Sequence, residues 1–179
     1  QRQMCIRDRS VPLAEGLDLG LGAWYINPTS GSEDDELDLY ASLGTSVGAI
    51  DVAVGYVAYL YPESGAESTN EVGITAGTEF GGLSIGAGYY YDFDLETHYY
   101  EGVVGYGIDL CDKSSLGVSV TNGFLEEDYA HTTVVLEFSL ALSSSATITP
   151  YIAGVFPSDD VYGDAEDQLF GGASLSVAF

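Results

Sequence analysis

Asp18, Asp38, Asp51, Glu71, Glu79, Asp92, Glu101, Asp109 and Glu137 share one sequence context. Each lies in a run where apolar residues occupy every second position and the acid belongs to the other set. Carboxylates spaced in this way, with no base in their set, do not form ion pairs with one another. They create a negative field that concentrates cations and repels anions. Acids can also serve catalysis, and His98 and His131 lie near carboxylates, with Glu126, Glu127 and Asp128 just before His131. Yet no H-E-x-x-H run occurs and no serine stands in a nucleophile-elbow context. No catalytic residue is therefore assigned, and no enzymatic activity is expected.

The acidic clusters at 34–36, 126–128 and 159–167 lack the Gly-centred twelve-residue spacing of an EF-hand loop. A diffuse atmosphere of divalent cations is the expectation there, with no defined metal site and no cofactor. Cys5 and Cys111 are too few to form a disulfide framework or a thiolate metal site.

Those acids need elements to position them, and period-2 alternation is the signal for half-buried strands. It recurs over 17–25, 37–43, 51–60, 71–80, 83–93, 101–110, 116–121, 133–142 and 172–179, with a poorly alternating stretch at 146–156 interrupted by Pro150. That reading gives ten strands. The chain's 23 Gly and 14 Tyr also suit a β protein, and its aromatic and aliphatic content argues against disorder. No run approaches the ~20 apolar residues of a transmembrane helix. With 28 acids against 4 bases the formal charge is −24, which excludes nucleic-acid binding through a basic face.

The first ten residues, QRQMCIRDRS, hold three of the four bases and lack alternation. They are too polar for a signal peptide. Residues 1–10 are therefore set aside as a non-native or disordered leader, and 11–179 are expected to form a single β-barrel domain.

Outside the apolar positions the strands carry Gly, Ala, Ser, Thr and isolated acids, with almost no Lys. Soluble edge strands are commonly protected by Lys, and a closed barrel needs no such protection. Five longer acidic connections are expected at 28–36, 62–70, 94–97, 122–131 and 157–167. They alternate with short ones at 44–49, 81–82, 111–114 and 143–145. Long loops at one end and tight turns at the other describe an outer-membrane barrel, and an even strand count puts both chain ends on the short-turn side. The C-terminal alternation of Leu175, Val177 and Phe179 resembles the signal read by barrel assembly machinery.

The segments GAWYIN (22–27), ELDLYASLG (36–44), IDVAVGYVAYLYPE (50–63) and SIGAGYYYDFD (84–94) resemble the TorF-type porins, a family of bacterial outer-membrane proteins. The aromatic GYVAYLYPE stretch is the most specific part, and the resemblance covers roughly residues 17–110. The S-D-Y-x-F-R-G motif with which members begin is absent. The resemblance thus implies a missing N-terminal hairpin and twelve strands in the intact protein, and location and fold more firmly than transport.

The expected fold is an all-β, antiparallel, up-and-down transmembrane β-barrel. With apolar positions facing lipid, the nine acids named first line the lumen, because charge on the lipid face is costly. Tyr25, Tyr61, Tyr89, Tyr91, Phe93, Tyr100 and Phe156 fall near the long-connection ends and suit an interfacial aromatic girdle. The functional expectation is passive, cation-preferring diffusion of ions or small solutes. Partners would be outer-membrane lipid and lipopolysaccharide, the barrel assembly machinery and divalent cations, with the long acidic loops outside the cell.

Two alternatives stay open. Narrow barrels are filled by side chains, so Tyr40, Tyr59, Tyr90 and Tyr99 bonded to Glu79, Glu101 and Glu137 would plug a structural or adhesion barrel. A secreted soluble β-barrel or sandwich binding protein is the other.

Overall fold

The computed structural model describes residues 2–28, 35–62 and 66–177. They form β1 (Arg2–Ala14), β2 (Leu17–Pro28), β3 (Glu36–Val47), β4 (Ile50–Leu60), β5 (Thr69–Phe80), β6 (Leu83–Asp92), β7 (Thr97–Cys111), β8 (Ser114–Leu125), β9 (Asp128–Ala141), β10 (Ala146–Pro157) and β11 (Gln168–Val177). One short helix, α1 (Asp159–Tyr162), lies between β10 and β11. The strands make one eleven-stranded antiparallel sheet whose spatial order is the sequence order. At 10 to 15 residues from β6 to β7, these strands reach the ~9–11 residues that a tilted strand needs to cross a bilayer.

Two compact units can be distinguished, Gln1–Ala76 with Gly88–His98, and Gly77–Ala87 with Tyr99–Phe179. In the first, the tight turns at 15–16 and 48–49 share one end, opposite the connections at 29–35, 61–68 and 93–96. In the second, 81–82, 112–113 and 142–145 share one end, opposite 126–127 and 158–167.

Gly81 and Gly82 form a two-residue hairpin turn with φ of 59° and 82°. Two positive φ values give the backbone twist that matches the flanking strands. Gly82 must also stay small. Its carbonyl accepts from Gly107 N at 2.8 Å, and a Cβ on it would lie 2.6 Å from Gly107 O.

The sheet buries no apolar core of the kind a soluble sandwich requires. Among the described residues the buried hydrophobics are Ala130 and Ala153, and no large side chain is fully enclosed. The large apolar residues are instead exposed, by 36% at Val120 up to 85% at Phe80. Within these strands they recur at every second position, as at Leu39 and Leu43 on β3, Val54 and Tyr56 on β4, and Leu116, Val118 and Val120 on β8. This is the alternating set identified from the sequence. An exposed apolar surface of this extent is a contact surface for lipid or for another protein.

Three features depart from the sequence reading. The strand count is eleven, because Arg2–Ala14 pairs with β2 from Arg2↔Pro28 to Ala14↔Leu17. Residues 2–10, set aside as a leader, thus enter the sheet. Backbone pairing asks only for free N–H and C=O groups along an edge, so a segment without side-chain alternation can join. With an odd count, β1 starts opposite Pro28, at the end carrying the 29–35 connection and not at the tight-turn end.

The third departure concerns 122–131, expected as a long loop. Asn122↔Thr132, Gly123↔His131, Phe124↔Tyr129 and Leu125↔Asp128 are strand pairs, leaving only Glu126 and Glu127 as the turn. The register shift beside Gly123 leaves Ala130 as an extra residue in β9, a β-bulge. Ala130 O accepts from Ser158 N at 2.7 Å, which ties the start of the 158–167 connection to β9. The 94–97 connection is displaced by one residue, to 93–96, with Glu96 at φ 54°. Glu33, Asp34, Glu63 and Phe179 lie outside the described residues.

Candidate functional site

The face opposite the apolar one carries the nine acids, and their surroundings differ between the units. In the first unit Asp38 pairs with Tyr59 across β3 and β4. Tyr59 donates its hydroxyl to Glu71 Oε1 at 3.2 Å. Asp38 Oδ1 is shielded from solvent without a hydrogen bond. Asp51 accepts from Ser46 Oγ at 2.5 Å beside the 48–49 turn, and Asp18 is exposed on β2.

Asp92 serves a turn. It is buried, and its Oδ1 accepts from Asp94 N at 2.9 Å and from Leu95 N at 2.8 Å. A short carboxylate that satisfies two turn amides fixes the 93–96 connection.

In the second unit the acids surround an open space. A cavity of about 430 Å³ is lined by Glu79, Asp109 and Glu137, from β5, β7 and β9. Ser84, Ser115 and Ser119 supply hydroxyls, and Gly82, Gly105, Gly107 and Gly117 leave the wall bare. No base lines it. Glu101 lies farther along β7, opposite Gly123 of β8.

The sequence missed the serines and glycines of this lining as functional residues. They sit at the right parity, but alternation along a strand does not give the register between strands. That register brings β5, β7 and β9 acids around one space. Among the described residues, no three His, Cys, Asp or Glu side chains converge tightly enough to hold a metal ion.

Tyrosines on this face are engaged by several neighbours. Tyr59 binds Glu71, and Tyr99 stacks on His131 with its hydroxyl 3.0 Å from Nε2. Thr133 Oγ1 lies 3.2 Å from His131 Nδ1, so both ring nitrogens have neighbours. Tyr90 covers two glycines: a Cβ on Gly73 or on Gly88 would meet its ring below 3 Å.

The girdle candidates fall near the longer connections. Tyr25 donates to Asp35 Oδ2 at 3.2 Å. Tyr89, Tyr91 and Phe93 gather round His98: the Tyr89 hydroxyl is 2.8 Å from His98 Nδ1, and the Tyr91 ring lies 4.7 Å from the imidazole and 5.3 Å from Phe93. Tyr61 follows β4 directly. Burial, and then the Glu36 carboxylate that accepts its hydrogen bond, raise the Tyr61 phenol above its ordinary pKa. Tyr100 and Phe156 stand exposed on the apolar face.

Two aromatics were overlooked in the sequence because they lay in the supposed loop. Phe124 and Tyr129 meet edge to face at 5.8 Å. Tyr129 donates to Thr132 Oγ1 at 2.6 Å, and Thr132 in turn donates to Asn122 Oδ1 at 2.7 Å. Leu175 and Val177 are exposed on β11.

No protein-family model and no curated protein matches the chain. Among solved structures, the chain is similar to a NanC porin in a rhombohedral crystal form, with a TM-score of 0.63 and 13% sequence identity. The match covers 99% of this chain and 94% of that one. At such low identity the likeness speaks to fold, and the fold is a porin-like, antiparallel, up-and-down β-barrel.

Proposed function

We propose that the protein is an outer-membrane pore through which small cations and small neutral or cationic solutes diffuse passively. One observation carries this reading: the space enclosed by Glu79, Asp109 and Glu137 contains no base, on a sheet whose opposite face exposes its large apolar residues. The apolar face suits contact with lipid acyl chains. The acid-lined space raises the local cation concentration and repels anions. Low-dielectric walls strengthen both effects, since charges there are poorly screened.

The porin-like fold supports the same direction, and the resemblance to TorF-type porins agrees with it. Outer-membrane lipid, lipopolysaccharide and the assembly machinery are the corresponding partners. In this orientation the 29–35, 61–68 and 158–167 connections face outside, with divalent cations gathered at their carboxylates.

A plugged barrel is the second reading, favoured by Tyr59 on Glu71 and Tyr99 on His131, which fill the polar face near the longer connections. Planar-bilayer conductance across a salt gradient separates the two. Discrete steps with a cation-selective reversal potential, weakened in Glu137→Gln, support the pore. Anion selectivity defeats the assignment of faces. Silence from protein that is folded in detergent supports the plugged barrel and removes the transport claim.

A further inference from the structure

We propose that Gly117 positions Glu137, and that this placement makes Glu137 the residue that sets charge selectivity in the cavity. The proposal rests on the pore reading above. It identifies which of the lining acids governs the permeant ion and what holds that acid in place.

The argument begins with one row of residues across the sheet. Gly107 pairs with Gly117, Gly117 with Glu137, Glu137 with Tyr151, and Tyr151 with Gly172. Directly paired residues share a face, so these side chains compete for the same strip of surface. The row contains only two long side chains, and each has a glycine beside it.

Tyr151 leans one way. A Cβ on Gly172 would lie 2.7 to 2.9 Å from the Tyr151 hydroxyl and ring, so the phenol covers Gly172. Glu137 leans the other way. A Cβ on Gly117 would lie 3.0 Å from both Cγ and Oε1 of Glu137, and 3.4 Å from Cδ. The Glu137 chain therefore lies flat over β8 and does not stand straight up from β9. Beyond it, a Cβ on Gly107 would meet nothing within 4 Å. The carboxylate thus reaches across bare backbone towards open space, and Gly107, Gly117 and Glu137 all line the same cavity.

This separates Glu137 from the other two acids. Asp109 has a short side chain and pairs with Ser115, and Glu79 stands two residues before the 81–82 turn. Glu137 lies across the neighbouring strand, over a residue that has no side chain. A Cβ at 117 makes Glu137 give way by a few tenths of an ångström, and a branched side chain there by more, without altering the charge of the protein.

A double-mutant cycle read by reversal potential in planar bilayers under a salt gradient tests the proposal. The variants are Gly117→Val, Glu137→Gln and the two combined. Heat-modifiable migration and unitary conductance establish that each is folded and open. Gly117→Val should move the reversal potential towards zero, as Glu137→Gln does, although it removes no charge. The combined variant should shift it no further than Glu137→Gln alone. If valine prevents folding, Gly117→Ala takes its place, since its Cβ already displaces Glu137.

A wild-type reversal potential in Gly117→Val, alongside a shifted one in Glu137→Gln, overturns the positioning role. Full additivity overturns it as well. Wild-type protein without cation preference is a separate result, one that removes the pore reading itself.

Discussion

The Asp92 carboxylate accepts the backbone N–H of Leu95 at 2.8 Å, closing the connection between β6 and β7. The same oxygen takes Asp94 N, so one side chain satisfies two amides of a four-residue turn that places Glu96 at φ 54°. Asp92→Ala leaves both donors without this acceptor and should cost about 1–2 kcal/mol. Asp92→Asn keeps an acceptor oxygen and should recover most of that. Urea unfolding in detergent micelles reads both, and neither variant should change ion selectivity. A selectivity change in Asp92→Asn would give Asp92 a part in the lining.

Gly107 and Gly102 give a matched pair on one strand. A Cβ at either meets nothing within 4 Å. Gly107 lines the cavity, whereas Gly102 shares the parity of the exposed Val104 and Tyr106. Gly107→Trp should fill a large part of the space and lower unitary conductance severalfold. Gly102→Trp adds an aromatic to the apolar face and should leave conductance unchanged. Equal conductance in the two variants would show that ions do not cross this cavity.

The apolar face was legible in the sequence because side-chain direction in a strand has a period of two. Leu116, Val118 and Val120 announce their face without any knowledge of neighbouring strands. The 81–82 turn was equally plain from its two glycines. The cavity was not legible, since Gly117 meets Glu137 through a pairing fixed by turn lengths and by the Ala130 bulge. The pairing of residues 2–10 with β2 was not legible, because a strand can pair through its backbone with no side-chain pattern to advertise it. The 122–131 segment looked like a loop for the opposite reason: the bulge interrupts alternation inside two strands that continue to pair.

Val118 and Ser119 are neighbours on β8 with opposite parity, and they test the assignment of faces most directly. Both border the cavity, but Val118 is exposed and pairs with the equally exposed Leu136, while Ser119 has the parity of Gly117, which pairs with Glu137. In a bilayer, Val118→Arg places a cation among acyl chains and should destabilise the fold by about 2–4 kcal/mol if the site is near the midplane. Ser119→Arg meets water and three carboxylates, so it should fold normally and shift the reversal potential towards anions. A soluble binding protein reverses the first outcome. There Val118→Arg would improve solubility without detergent, because it would break up an exposed apolar patch. Vesicle-reconstituted unfolding of the two variants, run beside their reversal potentials, therefore discriminates a lipid-facing Val118 from a solvent-facing one.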